Sequence, residues 1–162
     1  MTHSKSMMIV SIVTVAAALA ATVPTALASD DCDALAAKLT ATHSNMTVDR
    51  RTEANVILFR YPPLGGFSIL CPNIPTENPA LTVSVDSAYP TAAFWAASAA
   101  LGTVVTGAAT NDIRSGAQHC QQLALKSANE LAETRSAGIK FECQAFTRDG
   151  GGAFITIYKS TE

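Results

Sequence analysis

The sequence predicts a single α+β domain, an antiparallel sheet of about five strands with helices on one face, and three observations carry that reading. Residues 54–61 with 67–71, and residues 138–147 with 153–159, are runs of β-forming residues around Pro- and Gly-rich turns, the pattern of two hairpins. Between the hairpins lie two stretches with helical periodicity. Four cysteines, an even number, fall on predicted helices and strands alike, so two disulfides can tie one layer to the other.

The chain opens on a leader. Lys5 is followed by an uncharged apolar run over residues 7–23, then Pro24 and the triplet Ala26, Leu27, Ala28, the small-x-small pattern of a signal peptidase site. Cleavage after Ala28 leaves residues 29–162 as one domain, and a chain of that size buries about two-thirds of its extended surface. Export places Cys32, Cys71, Cys120 and Cys143 in an oxidising compartment, secreted or periplasmic, where thiols pair.

In order, residues 30–42 place Cys32, Leu35, Ala36 and Leu39 at helical spacing behind a cluster of acids, which the positive end of a helix dipole favours. A polar segment follows, with an Asn45 glycosylation sequon that matters only in a eukaryotic host. In the first hairpin a five-residue loop, residues 62–66, sets Phe67, Ile69 and Cys71 opposite Tyr61, Phe59 and Ile57. Residues 81–86 (LTVSVD) alternate apolar and polar, a half-buried third strand.

Residues 87–111 carry no formal charge, yet their large apolar side chains are only Phe94, Trp95, Leu101, Val104 and Val105. A membrane span needs about 20 predominantly apolar residues, and Gly102 and Gly107 each cost a helix interior roughly 1 kcal/mol relative to Ala. The stretch therefore reads as a core helix from Thr91 to about Val105, entered by Pro90, and the mature chain has no membrane span. A second helix runs from Asn111 to about Arg135, with Ile113, Ala117, Cys120, Ala124 and Leu131 on one face and Gly138 after its end. The second hairpin turns through an odd-length loop around Asp149 and three glycines, which buries Ile139, Phe141, Cys143 and Ala145 with Ile155 and Ile157. The order is α-β-β-β-α-α-β-β, without an internal repeat. Proximity pairs Cys32 with Cys71 and Cys120 with Cys143, each joining a helix to the sheet.

The mature chain has 10 Lys and Arg against 13 Asp and Glu, a net charge of −3. With no basic stripe, nucleic acid is excluded as a partner. No close Cys and His spacing supports a metal site built with His43 and His119, and no cofactor motif is present. Catalytic signatures are equally missing: there is no G-x-S-x-G, H-E-x-x-H or S-x-x-K. Two functions remain. The favoured one is a non-catalytic exported module that binds a protein, peptide or small ligand, or serves the envelope structurally. The alternative is a small hydrolase using His43 or His119 with a carboxylate such as Asp112 or Glu142. The site expected for the first is the outer sheet face, where strand parity turns Val56, Leu58 and Leu70 outward from the first hairpin. Phe146, Phe154 and Tyr158 join them from the second, with Phe146 and Phe154 directly opposed across a three-residue loop. Such a patch suits a partner or a second copy of the chain.

Overall fold

A computed structural model of the chain describes residues 27–72 and 77–161. All but the last two residues of the expected leader lie outside them. The order is α1 (Leu27–Thr42), β1 (Thr47–Arg51), β2 (Val56–Tyr61), β3 (Leu64–Leu70), β4 (Ala80–Val85), α2 (Ala92–Thr106), α3 (Thr110–Lys126), β5 (Leu131–Ser136), β6 (Ile139–Phe146) and β7 (Gly152–Lys159). The seven strands form one antiparallel sheet in the order β1-β2-β3-β4-β7-β6-β5. The α+β class and the helical layer on one face stand; about five strands becomes seven.

The two additional strands are the two edges, and their chemistry explains why no alternation announced them. β1 reads TVDRR with every residue exposed, and β5 reads LAETRS with nothing fully buried. Edge strands bury little side-chain surface and carry charge, so the hydrophobic period that marks an interior strand is missing. Recognising β5 also shortens the second long helix. α3 ends at Lys126, nine residues before the expected Arg135, and Leu131 belongs to β5 and is exposed, whereas Ile113, Ala117, Cys120 and Ala124 are buried as the helical spacing required. Gly138 is no helix stop. With Ala137 it forms the two-residue β5–β6 turn, both at positive φ (51° and 74°), the geometry that lets a tight hairpin follow the twist of its strands.

α2 begins and ends where the sequence indicated. The Thr91 hydroxyl accepts from the Phe94 amide, and Gly107 closes the helix in the left-handed conformation, its amide donating to the Thr103 carbonyl. Close approach between α2 and α3 is made possible by Gly102: a Cβ there would lie 2.6 Å from Ile113 Cγ2. Among the described residues no single helix is long and apolar enough to cross a membrane.

The core lies between sheet and helices. It is built from Ile57, Phe59, Phe67 and Ile69 on the β2–β3 side and from Ile139, Phe141, Ile155 and Ile157 on the β6–β7 side, capped by Leu39, Phe94, Leu101 and Ile113. Two disulfides cross from helix to sheet, Cys32–Cys71 and Cys120–Cys143, with Cα atoms 6.0 and 5.9 Å apart. The topology is close to two-fold, although the sequence has no repeat. Each half is a helix tied by a disulfide to a meander, and the halves meet at β4 and β7 around the pair Thr82 and Thr156, whose hydroxyls lie 3.1 Å apart.

Both hairpins bury the faces that parity predicts, and both registers are displaced from the expected pairing. In the first, Tyr61 pairs with Leu64, so the turn is Pro62–Pro63 alone; Gly65 and Gly66 lie inside β3, and an irregularity between Phe59 and Tyr61 restores Phe59 opposite Phe67 and Ile57 opposite Ile69. In the second, the five-residue loop 147–151 sets Cys143 opposite Ile155 and Phe141 opposite Ile157. Phe146 therefore faces Gly152, and Phe154 faces Gln144; the two phenylalanines are diagonal neighbours, not an opposed pair. A displacement of two residues leaves every side chain on its face, which is why parity survived where the exact register did not.

Candidate functional site

The described residues leave the sheet face away from the helices open, and its residues can be read off the registers as rows across the strands. One row holds Arg50, Leu58, Ser68, Thr82, Thr156, Glu142 and Glu133. On one side of it lie Val56, Leu70, Ala80, Tyr158, Lys140 and Arg135, and on the other Gly66, Ser84, Phe154, Gln144 and Leu131. All six apolar residues expected on this face are there. Phe154 and Leu70 are 45% and 48% exposed, while Val56, Leu58, Tyr158 and Phe146 are half-buried.

Phe146 has a separate task. A Cβ on its cross-strand neighbour Gly152 would lie 2.6 Å from the Phe146 ring, so the ring covers the backbone where β7 begins and fills the gap left by the missing side chain. The continuous apolar part of the face is thus Val56, Leu70, Ala80 and Tyr158, with Leu58 beside it. Phe154 stands apart between two shallow depressions. One, of about 560 Å³, is lined by Leu58, Arg60, Ser68, Thr82 and Ser84. The other, of about 520 Å³, is lined by Asn129, Glu133, Glu142, Gln144 and Thr156.

A polar cluster fixes the second depression. Lys140 Nζ lies 3.0 Å from a carboxylate oxygen of Glu133 and 3.0 Å from one of Glu142, and sits 5.6 Å from the centre of the Tyr158 ring. The Tyr158 hydroxyl donates to Glu142 at 2.6 Å. The Tyr158 hydroxyl and then the two carboxylates hold the Lys140 ammonium above its ordinary range. The Tyr158 bond, followed by Lys140, keeps Glu142 below the ordinary carboxylate value. Desolvation, then the Glu142 bond, raises Tyr158. A lysine held this firmly protonated is a fixed cation and not a nucleophile.

These shifts set a pH dependence. Glu142 has a folded pKa below its ordinary 4.5, so its contribution is present above that value and lost as pH falls through the folded one. Replacing Glu142 with Gln is expected to lower the melting temperature near neutrality by a small amount and to flatten its decline below pH 4.5. A melting series from neutral to acid pH checks this; equal slopes for the two chains would contradict it.

The histidines lie elsewhere. His43 follows α1, its Nδ1 3.3 Å from the Tyr61 hydroxyl, while its Nε2 is enclosed without a partner among the described residues. A general base needs a nitrogen that substrate can reach. His119 is exposed on α3, two turns from Asp112, about 10 Å along the helix. Glu142 is on the open face, with the sheet between it and α3. Neither histidine meets a carboxylate among the described residues, and those residues hold no group of three or more His, Cys, Asp or Glu able to take a metal. Strand parity also places Lys140, Gln144 and Thr156 on this face, whereas Glu133 lies on β5, which no alternation announces. Compared with protein-family models, curated proteins and solved structures, the chain matches none.

Proposed function

We propose that this chain is an exported, non-catalytic binding module that docks a partner protein on the open face of its sheet. The observation that carries the reading is the composition of that face. Large apolar residues, Leu70 and Phe154 foremost, stand among Ser68, Thr82, Ser84, Thr156 and Gln144 and are rimmed by Arg60, Glu133, Glu142 and Lys140. A non-obligate protein interface has this mixture, an aromatic and aliphatic centre inside a polar rim. Size agrees: seven strands about 4.8 Å apart and about 20 Å long present on the order of 600 Å² in plan, close to the ~800 Å² that one partner contributes to a standard interface. The depressions are shallow and lie side by side, which suits a protein surface more than an engulfed small ligand. Export rests on the leader pattern, and the two disulfides are compatible with an oxidising, extracellular setting.

The test is site-specific photo-crosslinking in the native host, with the crosslinker placed at Phe154 and, as a control, at the exposed helix position Ala92. A discrete adduct with a host protein is expected at 154 alone, and a Leu70→Asp change in the same chain should reduce its yield at least about tenfold. Adducts of equal yield at both positions, or none at 154, would overturn the reading.

A further inference from the structure

The two edges of the sheet are not alike. β1 is protected: its pairing with β2 is interrupted between Val48 and Arg50, Asp49 there is 2.7 Å from Arg60, and Arg51 is 2.5 Å from Asp33 at the start of α1. A bulge and a row of charges are the usual means of keeping an edge from pairing with another chain. β5 has neither. It pairs with β6 residue for residue from Leu131 to Ser136 without a shift. Leu131 on it is 51% exposed and Leu123 on the helix above it is exposed as well. The Ala145 amide bonds the Glu130 carbonyl, so even-numbered residues of β5 bond to β6 and the odd-numbered ones, Leu131 and Glu133 among them, turn amide and carbonyl away from it.

We infer that β5 is a self-association edge, along which two copies of this chain pair antiparallel about a two-fold axis at Thr134 and join their sheets into one of fourteen strands. Charge order selects the register. An axis at Glu133 would set that carboxylate opposite itself, and an axis at Arg135 would do the same for the guanidinium. An axis at Thr134 sets each Glu133 opposite Arg135 of the other copy, twice over. It also makes Thr134 face its own counterpart in the close, non-hydrogen-bonded type of pair, with Cα atoms about 4.5 Å apart. The chain already contains a directly opposed pair of threonines, Thr82 and Thr156 at the centre of the sheet. An axis perpendicular to the sheet leaves both open faces pointing the same way, so the dimer presents two docking faces side by side, and a repetitive or membrane-arrayed partner would be held by both.

Sedimentation of the full exported chain tests this, with Glu133→Arg and the charge-swapped Glu133→Arg/Arg135→Glu as variants. The wild-type chain is expected to be a dimer at micromolar concentration, the single variant to weaken association at least about tenfold, and the double variant, self-complementary again, to restore most of it. The restoration separates a lost contact from a lost fold. Oxidised Thr134→Cys should form a covalent dimer, and Ser136→Cys, which faces Ala132 of the other copy, should not. A monomeric wild type, a dimer indifferent to Glu133→Arg, or crosslinking at 136 in preference to 134 would each overturn the inference. So would a dimer lost on Phe154→Ser, which would move the contact to the open face.

Discussion

Replacing Cys32 and Cys71 together by Ala is expected to cost about 4 kcal/mol of folding stability, and the same change at Cys120 and Cys143 about 0.5 kcal/mol less. The order follows from the lengths of chain they close, 39 and 23 residues apart in sequence. A longer loop removes more entropy from the unfolded chain, although only logarithmically. The native contacts reinforce that order. Cys120 and Cys143 sit in the middle of α3 and β6, where Gly116, Ala117 and Phe141 already pack helix to strand. Cys32 and Cys71 join α1 to the end of β3, a region that otherwise relies on Leu39, Ala36 and the exposed Arg51–Asp33 pair. Exposed pairs contribute about 0–1 kcal/mol. Denaturant titration of both double variants checks the ranking. A larger loss at Cys120–Cys143 would mean that the second bridge does more than restrict the unfolded chain.

The second large effect is expected at Gly116. Replacing a helix-interior glycine by alanine ordinarily stabilises by about 1 kcal/mol. At Gly116 the sign reverses, because a Cβ would lie 2.4 Å from Phe141 Cε2 and 2.5 Å from Cζ, and Phe141 is fully buried in β6. Neither helix nor ring can retreat without opening the contact between α3 and the sheet, and overpacking of that kind costs about 1–3 kcal/mol. Gly116→Ala should therefore lose stability, and Gly116→Val, which adds two methyl groups to the same clash, should lose more and slow recovery of folded protein. Ser115→Ala, one residue away on the exposed side, should change stability by less than about 0.5 kcal/mol. Thermal melts of the three variants decide it; a Gly116→Ala chain as stable as the parent would show that the ring has room to move.

Much of the architecture is written locally. The boundaries of α2 follow from Thr91 and Gly107, because capping depends on a hydroxyl and on a residue that tolerates positive φ. The face of each hairpin strand follows from parity, since side chains alternate whatever the exact pairing. The faces do not choose among the pairings, because all four cysteines lie on apolar ones; proximity along the chain does, and it requires only that each helix lie over the strands that follow it. By parity, the six apolar residues of the open face were legible before any coordinates.

What the sequence by itself determined, then, was the class of fold, the side of the sheet each strand residue occupies and the two bridges, all properties of local period and chain proximity. Tertiary structure alone decided the rest. β1 and β5 exist because neighbouring strands offer them hydrogen bonds, a backbone interaction that leaves no mark in a polar sequence such as TVDRR or LAETRS. The two-residue displacement of each hairpin was set by packing, by Leu64 entering the core and by the Phe146 ring covering Gly152, and it turned an expected aromatic pair into a covered glycine and an exposed Phe154. The Lys140 cluster joins three strands whose spacing in sequence says nothing of their adjacency. The difference between an edge with a bulge and one without exists only once the strands have been placed in order.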